Sequence, residues 1–178
     1  MKKLILIITL LITSASFAQV ITSDKKDDFT DTHIFNIEAR KNKDLSLEDN
    51  ISDDKKGDKV FLGLAIEKKI DSTPQIAIMI SMISNKPRCF YKQELFLLFE
   101  DGQKSILKQI TKSVCDTAIV VGYSMSNEEL DSFKNKILKK IRVTDNNSFT
   151  DYTIDNHMQT IVKKTLQMTA DKLNEIQQ

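Results

Sequence analysis

The chain has 178 residues and no tryptophan, and its 26 basic residues nearly balance 25 acidic ones, giving a net charge of +1. This balance gives no electrostatic reason to expect a nucleic acid or an anionic membrane as the partner. With only four glycines, the composition also argues against glycine-rich loops that cradle phosphates.

The N-terminal residues predict a secretory signal peptide over residues 1–18. Two lysines are followed by the run 4–12, which is apolar apart from one threonine, and then by small residues. A signal peptidase reads this order, and we expect cleavage between Ala18 and Gln19. The apolar run is shorter than the roughly 20 residues of a membrane span, although an uncleaved anchor is the alternative. We therefore expect an exported protein, periplasmic or secreted, whose mature chain has no transmembrane segment.

In chain order, the mature residues predict one domain over 19–178, beginning with a strand at 29–39. The stretch 40–58 is rich in charge and poor in apolar residues, so we expect a mobile loop there. Pro87 predicts a break after the second of the next strands. These strands are predicted over 60–70, 75–83, 95–99, 105–110 and 117–125.

The last third of the chain changes character. The sequence from Ser126 to Glu129 has the pattern of a capping box and predicts a helix over about 127–140. Two short strands precede a second helix over about 156–176, whose apolar residues form one wide stripe. Strands first and helices after predict an α+β fold, with one antiparallel meander sheet and both helices on one face.

The two cysteines, Cys89 and Cys115, predict a disulfide because an even count in an exported chain favours pairing. The dipeptide Asp101-Gly102 between them predicts a hairpin. A two-residue loop there would bring the cysteines within one residue of register, and a bulge or a three-residue loop absorbs that difference. Two unpaired buried thiols are the alternative.

Part of the chain resembles a known group of sequences. The residues concerned are Cys89, 94–102, Cys115, Gly122, Tyr123, Leu130, 140–144 and 151–154. This pattern resembles uncharacterised small exported proteins of the Bacteroides–Flavobacterium kind, over about residues 85–165. The resemblance implies a hairpin, paired cysteines and a short helix, but no activity, cofactor or site.

Candidate metal ligands and cations have ordinary structural explanations. His33 and His157 stand alone, whereas a metal site needs three or four ligands, so we expect no metal and no cofactor. The run 145–147 does not match a calcium loop, because glycine and glutamate are missing at its sixth and twelfth positions. The basic residues around 139–142 follow the predicted first helix, where cations favour the helix dipole. Arg142 pairing with a carboxylate is the alternative.

No residue pattern predicts catalysis, so we assign no catalytic residue. The sequence favours a non-catalytic binding module that contacts a protein or an envelope component through a sheet face, an edge strand or the stretch 40–58. One alternative is an envelope hydrolase, which would need a pocket where His33, Glu94, Asp116 or His157 has a strongly perturbed pKa. Another is a structural or stress protein of the envelope. The partner and the oligomeric state stay open.

Overall fold

The computed structural model describes four stretches of the chain, namely residues 20–27, 32–38, 58–69 and 72–177. The predicted signal peptide, its cleavage site at Ala18–Gln19 and nearly all of the predicted loop at 40–58 lie outside these residues. In the described stretches the chain forms nine strands and two helices. The strands are β1 (Val20–Asp27), β2 (Thr32–Glu38), β3 (Lys59–Lys69), β4 (Gln75–Phe90), β5 (Glu94–Phe99), β6 (Lys104–Lys108), β7 (Val114–Met125), β8 (Leu138–Thr144) and β9 (Phe149–Thr153), and the helices are α1 (Asn127–Phe133) and α2 (Asn156–Gln177).

The strands form two antiparallel sheets. Sheet A has the order β1-β2-β3-β4-β7, and sheet B has the order β6-β5-β8-β9. The α+β class is therefore confirmed, but the prediction of a single meander is wrong. The meander is interrupted because β7 returns to pair with β4, while β5 pairs with β8, which follows it by four elements.

The two sheets meet at corners where the chain passes from one to the other. After β6, Gln109 forms an isolated bridge with Tyr123 at the edge of sheet A. At the end of β4, the turn between β8 and β9 contacts this strand, because the backbone N–H of Asn146 donates to the carbonyl of Cys89. Each sheet presents one face to a shared core and the other face outward, which follows from the two-residue alternation of side chains along strands.

The core consists of the inward residues of both sheets. In sheet A, these are the alternate apolar residues of β3, β4 and β7, such as Leu64, Ile78 and Val121. In sheet B, Leu97 and Ile141 face them. β4 lies between β3 and β7 in sheet A.

Helix α1 begins as the sequence predicts and ends early. Ser126 caps it, its hydroxyl accepting from the N–H of Glu129 while the Glu129 side chain accepts from the N–H of Ser126. The prediction of a helix over 127–140 is wrong beyond Phe133. Residues 138–144 instead form β8, whose backbone is paired on both sides by β5 and β9. Leu138 keeps helical spacing from the apolar residues before it, but it is buried as a strand residue.

Helix α2 covers the core, and its predicted extent of 156–176 is confirmed to within a residue. Its apolar stripe is buried against strands of both sheets, on β2 and β3 of sheet A and on β8 of sheet B. Asp155 caps its first turn by accepting from the N–H groups of His157 and Met158. Lys68 donates to the carbonyl of Ile176 over 2.6 Å and thus satisfies an orphan acceptor at its C-terminus.

The two cysteines lie opposite one another at disulfide distance, as predicted. They form a register pair of β4 and β7, with Cα atoms 4.0 Å apart and Sγ atoms 1.91 Å apart.

Pro87 does not end the strand, because β4 continues past it to Phe90. The register of β4 and β7 is irregular between Ile83 and Arg88, and proline is tolerated at such irregularities.

The hairpin argument for this pairing is wrong in its geometry. The strands flanking Asp101 belong to sheet B, whereas the cysteines lie on the ladder of sheet A. The hairpin itself has the three-residue loop that the sequence left open, since the N–H of Phe99 donates to the carbonyl of Gln103. Gly102 ends that loop with φ +85°, a conformation that glycine adopts without cost.

Candidate functional site

Four side chains from both sheets form a buried ionic group, which we call the Arg88 cluster: Arg88, Asp58, Asp145 and Tyr152. Arg88 Nη1 donates to Asp58 Oδ2 and to the Tyr152 hydroxyl, each over 3.0 Å, and Nε donates to Asp145 Oδ2 over 2.8 Å. The Tyr152 hydroxyl donates to Asp58 Oδ2 over 3.1 Å. The charged side chains are only 10% (Arg88), 7% (Asp58) and 8% (Asp145) exposed.

The cluster joins segments that are distant in sequence. Arg88 lies near the end of β4, Asp58 directly precedes β3, and Tyr152 lies on the inward face of β9. Asp145 lies in the turn between β8 and β9, where its Oδ1 accepts from the N–H groups of Asn147 and Ser148. The prediction that 40–58 is one loop therefore fails at Asp58, which is buried and ion-paired.

The surroundings of Arg88, Asp145 and Tyr152 shift the pKa values of these three groups. Burial works against the charge of Arg88, but the interactions with Tyr152 and Asp145 outweigh it and raise the pKa of the guanidinium. Burial also opposes the charge of Asp145, yet the hydrogen bonds from Asn147, Arg88 and Ser148 lower the pKa of this carboxyl. Burial raises the pKa of Tyr152 to about 12. These groups keep fixed protonation states near neutral pH, which suits a structural link better than proton transfer.

A polar cavity of about 550 Å³ lies beside the cluster at this corner. Its lining combines the cluster with the irregular part of β4 and the turn of β8 and β9, and comprises Asp58, Ser84, Asn85, Lys86, Pro87, Arg88, Cys89, Asp145, Asn147, Ser148 and Thr150. The carboxylates that border it are already bonded to Arg88.

The side of sheet B that points away from the core is an open surface. We call it the outer face of sheet B. The strand registers place its side chains in three rows. Two rows are Ile106–Phe96–Arg142–Asp151 and Lys104–Leu98–Lys140–Thr153. The third is Lys108–Glu94–Thr144–Phe149, in which the N–H of Glu94 donates to Thr144 Oγ1. Large apolar side chains and cations thus lie side by side on one open surface, with Ile106 52% and Phe149 55% exposed.

Arg142 is the best-fixed cation of this surface. Its Nε and Nη2 donate to the two carboxylate oxygens of Asp151 over 2.6 and 2.9 Å, and its Cζ lies 4.2 Å from the ring centroid of Phe149. The hydrogen bond from Arg142 lowers the pKa of Asp151. Lys140 Nζ lies 3.9 Å from the same carboxylate. In the described part of the chain, Lys104 has no carboxylate within ion-pair distance.

A cleft of about 330 Å³ lies in the middle of this surface. Phe96 and Leu98 contribute apolar side chains to its lining, and Lys104, Lys140 and Arg142 contribute cations. Asp151 is the acidic residue of the lining. The arrangement suits the binding of a group that is negative at one end and apolar at the other.

The predicted chemistry-bearing residues lie on four separate elements and form no common site. His33 on β2 has Nε2 2.5 Å from Asp24 Oδ1 and its ring 4.1 Å from that of Phe35. His157 begins α2, Glu94 begins β5 opposite Lys108, and Asp116 lies on β7 opposite Arg88.

The basic residues around 139–142 lie on β8, so their interpretation as a helix C-terminus is wrong. The alternative, a carboxylate partner for Arg142, is what the structure has.

Sequence reasoning missed Arg88 and the apolar half of the outer face. The sequence did contain a signal for that face. Leu95 and Leu97 point to one side of β5 and Phe96 and Leu98 to the other, so the strand is apolar on both sides.

Within residues 20–27, 32–38, 58–69 and 72–177, no group of three or more His, Cys, Asp or Glu side chains is placed to hold a metal ion. Neither described helix has the combination of length and hydropathy that crossing a membrane requires. Comparisons with models of protein families, with curated proteins and with solved structures found no match to this chain.

Proposed function

We propose that this chain is an exported, non-catalytic binding module, periplasmic or secreted, that contacts its partner through the outer face of sheet B. The observation that carries the proposal is the exposure of large apolar side chains among cations on a single sheet face. Ile106 and Phe96 are neighbours in register on this face, with charged side chains around them, and apolar side chains rimmed by polar groups are typical of interaction sites. Aromatic residues and arginine are also the types enriched at protein interfaces.

The scaffold supports this use of the surface. The inward apolar residues of sheet B, including Leu97, Ile141 and Tyr152, are buried. The backbone of its central strands, β5 and β8, is paired on both sides. Because the backbone of such a sheet is already ordered, its side chains lose little conformational entropy when a partner binds. This favours binding by a preformed surface.

A crosslinking experiment with a matched control tests the proposal. A photoreactive amino acid is placed at Ile106, on the outer face of sheet B, or at Val120, on sheet A, each of which is 52% exposed. In cells that export the protein, we expect a discrete adduct from position 106 and none from position 120. Adducts from both positions in equal yield, or from neither, would count against a binding face.

Export is a separate part of the proposal and rests on the pattern of residues 1–18. We expect the protein recovered outside the cytoplasm to begin at Gln19, which intact-mass measurement detects directly. Protein that still carries residues 1–18 would contradict cleavage. The hydrolase and the structural envelope protein remain alternative predictions, and neither has a specific observation in its favour.

A further inference from the structure

We propose that the cleft on the outer face of sheet B binds a small amphipathic anion, meaning a carboxylate or phosphate head group joined to a short hydrocarbon body. This inference rests on the proposed function, because it uses the same surface and names the chemistry of its ligand. Three observations lead to it: uncompensated positive charge, an adjoining apolar surface and the volume of the cleft.

The head group is argued from the charges. Lys104 and Lys140 flank Leu98 in one row, since Leu98 pairs with both of them across β5. Adjacent strands lie about 4.8 Å apart, so the two lysines stand on either side of one strand. Asp151, the acidic residue of the cleft, accepts hydrogen bonds from Nε and Nη2 of Arg142. Asp151 also lies 3.9 Å from Lys140 Nζ. Its single charge faces the three cations of the lining, Lys104, Lys140 and Arg142, so the cleft has positive charge in excess, which an anion would neutralise.

The hydrocarbon body is argued from the apolar residues. Phe96 lies beside Ile106 in register and lines the cleft together with Leu98. A hydrated inorganic anion would make no use of these side chains, and a neutral hydrocarbon would make no use of the lysines. Only a ligand with both parts satisfies the whole lining, because apolar contact and charge-assisted hydrogen bonds are separate contributions to binding.

The size of the site favours a small ligand. The cleft volume of about 330 Å³ is at the lower end of the roughly 300–1,000 Å³ of ligand pockets. A membrane surface is the other source of such head groups, but the chain has a net charge of only +1, which becomes 1 − 2 = −1 once Lys2 and Lys3 are removed with the predicted signal peptide. Long-range attraction to an anionic bilayer needs a larger excess of cations than this chain carries. We therefore assign the site to a free amphiphile.

Calorimetric titration of the full-length mature protein with octanoate tests the inference. The matched probes are acetate, which has the head group alone, and 1-octanol, which has the hydrocarbon alone. We expect octanoate to bind with saturation and to be at least about tenfold tighter than either probe, since both kinds of contact contribute. Binding of octanoate no tighter than that of acetate or octanol would overturn the inference.

Variants separate the site from nonspecific binding. We expect the double variant Lys104→Ala and Lys140→Ala to weaken octanoate binding by about tenfold or more, and the double replacement by arginine to retain it. Lys108→Ala, on the same face but in the row of Glu94, should leave binding unchanged. Equal binding by the double alanine variant and the wild type, with both folded by circular dichroism, would contradict the assignment.

Vesicles of phosphatidylglycerol and phosphatidylcholine distinguish the source of the ligand. We expect the protein to remain in solution in their presence. Binding to these vesicles without binding to octanoate would replace the free amphiphile by a membrane surface. Absence of octanoate binding together with a retained adduct at position 106 would reject this ligand class while leaving the proposed function standing.

Discussion

Arg88 and Arg142 are both strand arginines paired with aspartates, yet they belong to opposite environments. Arg88 is nine-tenths buried between two carboxylates and two sheets, whereas Arg142 lies on an open face beside one carboxylate and a phenylalanine ring. The buried arginine links parts of the fold. The exposed arginine is fixed in position but keeps an accessible cationic surface around it. Residue type alone therefore does not distinguish a structural cation from one available for binding.

Removing the buried arginine should destabilise the protein most, and removing the exposed arginine should cost much less. Arg88→Met leaves Asp58 and Asp145 buried without their counter-charge, which should lower the free energy of unfolding by about 3–5 kcal/mol. Arg142→Met breaks an exposed pair and should cost less than about 1 kcal/mol. Urea denaturation followed by circular dichroism measures both. Similar losses from the two variants would remove the distinction between the two regions.

The disulfide should have the next largest effect. The pair Cys89–Cys115 closes a loop with a sequence separation of 26, for which the chain-entropy model gives about 3.5 kcal/mol. We expect reductant to lower the melting temperature of the wild type and to leave that of the Cys89→Ser and Cys115→Ser double variant unchanged. A wild-type transition unaffected by reductant, in protein shown beforehand to lack free thiols, would refute this expectation.

Two buried tyrosines differ in whether their hydroxyl groups have hydrogen-bond partners. The Tyr152 hydroxyl bonds to Arg88 and Asp58, whereas the Tyr123 hydroxyl is buried with no partner in the described residues. Tyr152→Phe should destabilise the protein by about 2 kcal/mol, because it removes hydrogen bonds to charged groups. Tyr123→Phe should leave stability unchanged or raise it by up to about 1 kcal/mol, since it removes an unsatisfied polar group. Thermal unfolding of the two variants measures the contrast, and equal losses would contradict it.

The smallest effect is a change in acid stability. The pKa of Asp145 in the folded chain is lowered: burial opposes its charge, but the hydrogen bonds from Asn147, Arg88 and Ser148 prevail. Its contribution is therefore complete above the unfolded pKa near 4 and is lost as the pH falls through the lower folded value.

Below about pH 4, the free energy of unfolding of the wild type should consequently fall more steeply than that of Asp145→Asn. Asp131→Asn, at an exposed position of α1, serves as the control and should follow the wild type. Parallel curves for the wild type and Asp145→Asn between pH 5 and 2 would show that the Asp145 carboxyl adds no acid-dependent stability.

Local patterns predicted the elements well where one physical signal dominated. The capping box at Ser126, the strand over Lys59–Lys69 and the stripe of α2 all reflect interactions within a few residues. The end of α1 was missed because Leu138 fits a helix by spacing and a strand by pairing, and the pairing with β5 decides. Spacing alone does not reveal such tertiary competition.

The long-range arrangement could not be read from the sequence. Pairing of the two cysteines was correctly expected from their count, but the ladder that aligns them is that of β4 and β7, not the hairpin. The Arg88 cluster joins residues separated by up to 94 positions, as between Tyr152 and Asp58. The outer face of sheet B exists only because β5 pairs with both β6 and β8, which brings Lys104, Leu98 and Lys140 into one row.

Charge reversal on the outer face of sheet B shows whether this cationic surface binds the partner. The variant with Lys104→Glu and Lys140→Glu changes two surface side chains and leaves the Arg88 cluster intact. We expect its free energy of unfolding to stay within about 0.5 kcal/mol of the wild type, as for ordinary surface substitutions, while the adduct formed from position 106 disappears. An undiminished adduct from this folded variant would mean that the cationic face does not bind the partner.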